Sequence, residues 1–459
     1  MMPLSARLAC LLPLCLAEQV LFDQTAMPNA ATLDGWYLFR VYNRMGFAAA
    51  TGKSMDQAQK PKAEIQLAGE LTGNADALAG YSSLEVSLIY YDQFLKHGLD
   101  QEHFCVNGKI KPANDGVDFH SAVIPISDDP PKVEMQLNKT GKYLLMISNC
   151  ANVSSGHISG VVQVKNPYGY LPPEQYHSVV PLCVFLVLYI LCLCGYAAYG
   201  LQKSKQFYDT HFYFVGLLLL SITEVGGKLF AYYTWNTSGS DEPWMSIATV
   251  LYVLKWIFLY MMATYVATGL HDKDVGHEED EDRWGVKTWC CVFASSTLYT
   301  VMLSLRECVL LYRPGGDLGP SFVAGTCVPV LVMDAAVVMF LVIQTQKQYE
   351  ESEAKLSIHR SSLYSKLNKI AVAVAVFGIV ALMADLADVL ALTSLSWRMQ
   401  WLPQEGTGHV LGLFGLATAC FVMRPGMLER KNEYVGGKGG DFETGAEMVG
   451  RPEDSDDDM

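Results

Sequence analysis

Seven apolar stretches, each near the length of a membrane-crossing α-helix, follow one another between residues 179 and 423. They lie near 179–200, 211–234, 245–269, 287–311, 321–345, 369–395 and 407–423. A helical span needs about 20 predominantly apolar residues, because in hydrocarbon every backbone polar group must be satisfied within the segment. The fourth stretch carries Arg306 and Glu307 near its end, and the seventh is short and glycine-rich. Charged residues make up only 17% of the 459-residue chain, against about 25% in an average soluble protein. That deficit falls after Pro172; the preceding segment reads as an ordinary soluble domain.

The chain opens with the pattern of a cleaved secretory signal over 1–17. Arg7 gives the positive start, Leu8 to Leu16 an apolar core too short to span, and Cys15-Leu16-Ala17 the small-x-small cleavage site. A cleaved signal places the following domain in the lumen. The loops then expected in the cytosol hold Lys203 and Lys205; Lys273, Arg283 and Lys287; and Lys347, Lys355, Arg360, Lys366 and Lys369. Arg424, Arg430 and Lys431 follow the last stretch, whereas the short luminal loops offer Arg313 and Arg398. The excess of basic residues on one side agrees with that orientation. Three Asn-x-Ser/Thr sequons, at Asn138, Asn152 and Asn236, all fall on the luminal side and are expected glycan acceptors. An even number of spans would put the tail in the lumen and break the charge rule.

Residues 18–165 show short strand-like runs at Trp36–Tyr42, Glu64–Leu67, Leu84–Tyr91, Ala122–Ile126, Val133–Leu137, Tyr143–Ser148 and Ile158–Val164. Gly, Pro, Asn and Asp clusters separate them, a pattern that predicts an antiparallel β-sandwich. Cys105 and Cys150 are the cysteines left in this domain after signal removal. In an oxidising lumen they predict a disulfide contributing about 4 kcal/mol, with two buried thiols as the alternative. The fold class is therefore membrane α-helical: a seven-helix transmembrane bundle (179–426) behind an N-terminal luminal antiparallel β-sandwich, joined by a junction over 166–178. Residues 427–459, rich in Gly, Glu and Asp, are expected to be a disordered acidic cytosolic tail.

Several motifs carry a family resemblance. The junction reads Asn166-Pro167-Tyr168-Gly169-Tyr170-Leu171-Pro172, preceded by Gly141-x-Tyr143-Leu144-Leu145-x-Ile147-x-Asn149-Cys150 and by Gly160. Phe230-x-Tyr232-Tyr233 with Asn236-Thr237-Ser238-Gly239, then Trp397-Arg398-x-x-Trp401, then Arg424-Pro425 with Asn432-Glu433-Tyr434 follow in order. Together they resemble the Golgi-dynamics-domain seven-transmembrane family, also called lung seven-transmembrane receptors, in the plant and transmembrane-protein-87-like branch. The resemblance implies a Golgi-dynamics-type (GOLD) luminal sandwich, residence in Golgi, endosomal or plasma membranes, and roles in membrane trafficking.

Ionisable residues within spans are costly and usually face a bundle interior or a wet cavity. Glu224 and Lys228 lie four apart on one helical face, joined by Lys255, Asp334, Asp385 and Asp388 on three other stretches. They predict either structural ion pairs or a polar cavity in the luminal half of the bundle. Rhodopsin-like coupling lacks support: the third stretch ends Ala267-Thr268-Gly269-Leu270-His271-Asp272, without an acidic-Arg-Tyr triplet. His211 and His409 are the histidines near the spans and have no partner at metal-ligand spacing. No phosphate-cradling loop or nucleophile elbow is present. The expectation is thus a non-enzymatic protein without metal or cofactor.

The formal net charge of −14 argues against nucleic acid. Expected partners are membrane lipid, a luminal protein or lipid cargo, and cytosolic sorting adaptors reading Glu453-Asp454-Ser455-Asp456-Asp457-Asp458. Tyr364-Ser365-Lys366-Leu367 fits a tyrosine-based sorting pattern but abuts the sixth stretch. The favoured function is trafficking or luminal cargo handling in Golgi and endosomal membranes. The alternatives are a signalling receptor using the luminal domain, and a cation channel or channel regulator.

Overall fold

The computed structural model describes residues 19–26, 33–42, 51–54, 59–71, 83–91, 105–106, 109–110, 119–125, 132–148, 156–202, 209–239, 243–268, 286–312, 320–354, 358–389 and 406–423, with isolated positions between them. Ten strands precede seven helices among these residues. The strands are β1 (Gln19–Ala26), β2 (Leu33–Val41), β3 (Lys62–Leu71), β4 (Ser83–Tyr90), β5 (Cys105–Val106), β6 (Lys109–Ile110), β7 (Phe119–Pro125), β8 (Val133–Gln136), β9 (Gly141–Ser148) and β10 (Gly156–Lys165). They form two four-stranded antiparallel sheets, ordered β1-β10-β3-β8 and β2-β9-β4-β7, plus the small β5-β6 ribbon.

Strand alternation explains how the sheets meet. In β3, Ala63, Ile65 and Leu67 point one way; in β10, Ile158, Val162 and Val164 do the same. From the other sheet Phe39, Val41, Val86, Leu88, Tyr143, Leu145 and Ile147 close onto them, making one buried core. Successive side chains on a strand face opposite ways, so every second residue enters this layer. Burying each large aliphatic side chain contributes about 1.5–3 kcal/mol. Gly160 of β10 lets the neighbouring strand approach: at φ +138° a Cβ there would lie 2.2 Å from the Gln66 carbonyl oxygen. The sequence reading anticipated seven of these strands. β1 escaped it because its apolar run is only Val20-Leu21-Phe22, and β5 and β6 have two residues each, too few to show a period.

The helices are α1 (Pro173–Gln202), α2 (Asp209–Ser238), α3 (Trp244–Ala267), α4 (Val286–Tyr312), α5 (Pro320–Ala354), α6 (Ile358–Val389) and α7 (Thr407–Val422). Five of them are long and apolar enough to cross a membrane, over Gln175–Gln202, His211–Ser238, Trp244–Ala267, Gly325–Ala354 and Arg360–Ala381; Thr407–Val422 is apolar but shorter. The chain is a multi-pass membrane protein. Many large apolar side chains lie exposed along these helices, among them Val184, Leu191, Phe212, Tyr233, Val332, Phe377 and Phe421. In water such surface would be a liability; against lipid tails it is the expected exterior.

α5 and α6 extend past their apolar stretches into a polar hairpin. There Arg360 donates to Gln348 Oε1 (2.8 Å), Gln348 donates to the Thr268 carbonyl (3.4 Å), and Asn368 donates to Gln346 Oε1 (2.7 Å). Tyr364 is fully buried in this region and Leu367 nearly so.

Candidate functional site

Between the sandwich and the bundle, β10 leaves its sheet at Lys165 and α1 begins at Pro173, leaving the Asn166–Pro172 motif to make the turn. Asn166 and Gly169 exchange two backbone hydrogen bonds (2.7 and 3.1 Å), closing a tight turn with Pro167 at its second position, where a fixed φ is favourable. Asn166 Oδ1 accepts from the Tyr42 amide (3.0 Å), tying the turn to the sandwich, and its Nδ2 donates to the Leu171 carbonyl (3.3 Å). Leu171 packs into the core of the bundle, while Tyr168 stacks on Tyr176 of α1 with ring centres 3.9 Å apart. Tyr42 also meets His177 of α1, hydroxyl to Nε2, at 3.0 Å.

The same turn receives the last residues of α2. The Asn236 carbonyl, otherwise an orphan of the helix end, accepts from the Tyr170 amide (3.2 Å). Its side chain completes the contact: Oδ1 accepts from the Leu171 amide (3.3 Å) and Nδ2 donates to the Tyr168 carbonyl (3.0 Å). Gly169 makes this approach feasible. A Cβ there would stand 2.2 Å from Asn236 Oδ1 and 2.4 Å from its carbonyl oxygen, and φ is +141°.

Near the junction, Glu64 of β3 gathers Lys132 (2.7 Å), Lys62 (2.8 Å) and the Tyr170 hydroxyl (3.3 Å). Burial raises the Glu64 carboxyl, but hydrogen bonds from Lys132 and Lys62 outweigh it and hold the group at about 2.

Inside the bundle, the ionisable residues separate into two groups. Glu224 of α2 and Lys255 of α3 form an ion pair at 2.9 Å, their side chains 0% and 6% exposed. His409 of α7 presents Nε2 3.8 Å from the other Glu224 oxygen and stacks on Phe185 of α1, so four helices converge there. The histidine is the member that sequence reasoning did not connect to this group; its signal was a lone ring within an apolar helix. His211 instead pairs with the Tyr196 hydroxyl at 2.6 Å.

The second group lines a cavity of about 350 Å³ among α2 to α7. Tyr299 donates to Asp334 (2.7 Å) on its wall, and Arg306 also faces it. Most of the remaining lining is aliphatic or small, including Ala335, Ala371, Gly412 and Gly415. The space exists because α5, α6 and α7 carry these small residues where larger ones would fill it. Tyr252 and Trp256 line the cavity too, and Lys255 Nζ sits 5.0 and 5.9 Å from their ring centres. Lys228 lies 6.0 Å from the Tyr252 ring centre. Of the described candidates, Glu224 and Lys255 lie in a buried ion pair and Asp334 on the wall of a mostly apolar cavity.

No family model matches the chain, and no curated sequence matches it.

The other expected site residues fall as follows. Asp385 and Asp388 belong to the last turns of α6, with side chains outside the described residues. Cys105 starts β5, but its side chain, like all of Cys150, lies outside them, as does Asn152. The signal over 1–17 and the tail over 427–459 also lie outside them. Asn138 is exposed in the turn between β8 and β9. Among the described residues no cluster of three His, Cys, Asp or Glu side chains is placed to hold a metal ion.

Proposed function

We propose that this chain is a seven-span protein of Golgi and endosomal membranes, with the sandwich in the lumen and the tail in the cytosol. It acts there in trafficking or in handling a luminal cargo. The observation that carries this reading is the union of a recognition-type sandwich with a cavity-bearing bundle, clamped through Asn166–Pro172 and Asn236. The motif resemblance to the Golgi-dynamics-domain seven-transmembrane family and the one-sided distribution of basic residues support it. In this reading α4 and α7 supply the two remaining spans. α7, at 16 residues, reaches about 24 Å against a hydrocarbon core of about 30 Å, a mismatch that local thinning of the bilayer accommodates.

The cavity suits an amphiphile with an apolar body and a polar end near Arg306, Tyr299 and Asp334. A cation path finds less support, because Glu224 is buried and already paired with Lys255 at 2.9 Å.

The test is the full chain expressed with a tail epitope in cultured cells. Protease should digest the tail in intact microsomes and spare the sandwich, and the protein should cycle between Golgi and endosomes. Ala335→Phe, which narrows the cavity, should slow cargo export without changing location. A stable pool at the cell surface that never recycles would favour the receptor reading instead.

A further inference from the structure

We infer that the Asn236-Thr237-Ser238 sequon is not a glycan acceptor but a structural pin that fastens α2 to the sandwich junction. Both ends of the Asn236 amide are turned into the junction: Oδ1 toward the Leu171 amide and Nδ2, the atom a glycan would occupy, toward the Tyr168 carbonyl at 3.0 Å. Gly169 is pressed so close that even one added carbon meets Asn236 Oδ1 at 2.2 Å. The residue is also held in helical conformation within the last turn of α2, its carbonyl capped by the Tyr170 amide. An attached oligosaccharide would compete with Tyr168 for Nδ2 in this crowded space. Asn138 offers the contrast, exposed on a turn at the end of an edge strand.

The inference rests on the luminal placement proposed above, and Asn138 reports on that placement separately. The experiment maps glycan occupancy by mass spectrometry on the full chain purified from secretory cells, alongside Asn236→Gln and Ser238→Ala. Ser238→Ala destroys the sequon but keeps the amide, and the Ser238 hydroxyl donates within its own helix to Thr234 O (2.7 Å). The expected result is glycan on Asn138 and none on Asn236. Ser238→Ala should leave mobility unchanged and shift the thermal midpoint less than Asn236→Gln, which lowers it by about 1–3 °C. Glycan on Asn236 in the folded protein, or equal stability of both variants, overturns the inference. A bare Asn138 would instead count against the luminal placement, and the stability comparison would still decide the role of the amide.

Discussion

Glu224 of α2 and Lys255 of α3 hold each other at 2.9 Å with no measurable access to solvent for the carboxylate. Removing one partner strands a buried charge, an effect of about 3–5 kcal/mol in comparable pairs, whereas replacing both with apolar groups of similar size is often neutral. Lys255→Met and Glu224→Gln should therefore each lower the thermal midpoint in detergent more than the double variant does. A double-mutant cycle measures this directly, and additive losses would argue against a coupled pair.

Gly169→Ala tests the junction from its other side. The added methyl meets Asn236 Oδ1 at 2.2 Å in a backbone conformation that disfavours side chains. A loss of about 2–3 kcal/mol is expected, read as a lower unfolding midpoint and less protein leaving the endoplasmic reticulum.

Glu64 gives the sandwich an acid-sensitive element. Its carboxyl is held at about 2, below the ordinary carboxylate value near 4.3. The ionised form is thus favoured by folding, and its contribution is fully present above the ordinary value. It is lost as pH falls from there toward about 2, as the carboxyl takes up a proton. The effect is of order 1–3 kcal/mol. Thermal unfolding of the full chain between neutral and acidic pH should show a steeper loss in the native protein than in Glu64→Gln, whose curve lies lower at neutral pH.

On the cavity wall, Tyr299→Phe deletes the donor that Asp334 receives at 2.7 Å. A destabilisation of about 1–3 kcal/mol is expected from the weakened satisfaction of a carboxylate at membrane depth. Asp334→Asn should restore part of it in the Phe background, since the amide needs no charge-stabilising donor. Thermal shift of the three variants separates these outcomes.

Tyr364 invites a different expectation from its sequence context. Its ring is fully buried with Arg360 5.6 Å from its centre, and Leu367 is also inside. Tyr364→Ala should behave as a core truncation, costing about 3 kcal/mol or more, with retention in the endoplasmic reticulum. Normal folding with misrouting after the Golgi would show that an adaptor reaches it.

The membrane character of the chain was legible because apolar runs are contiguous: five helices announce themselves within their own 20-odd residues. The polar ends of α5 and α6 were not, since Gln346, Gln348, Arg360 and Asn368 read as loop until their mutual hydrogen bonds are seen. Strand β1 was hidden for a related reason, its stability coming from register with β10 rather than from its own pattern. The candidate site was legible as a list and not as an arrangement. Glu224 and Lys255 could be named as costly, but their pairing spans two helices, and His409 joins from a third far along the chain. Asn236 was read by its motif, and the contact that redefines it comes from residues 65 and more positions earlier, beyond the reach of any local rule.

The pairing of β1 with β10 sets an order of assembly. This sheet joins its first strand to its last, so it cannot close until Lys165 has been made, when the next segment to emerge is already α1. Asn236 arrives later still, at the end of α2, and only a correctly inserted α1–α2 pair brings it beneath Gly169. A chain that threads α2 wrongly would carry a finished sandwich without the Asn236 contacts. The junction's contacts thus form last, once β10, α1 and α2 have all been made.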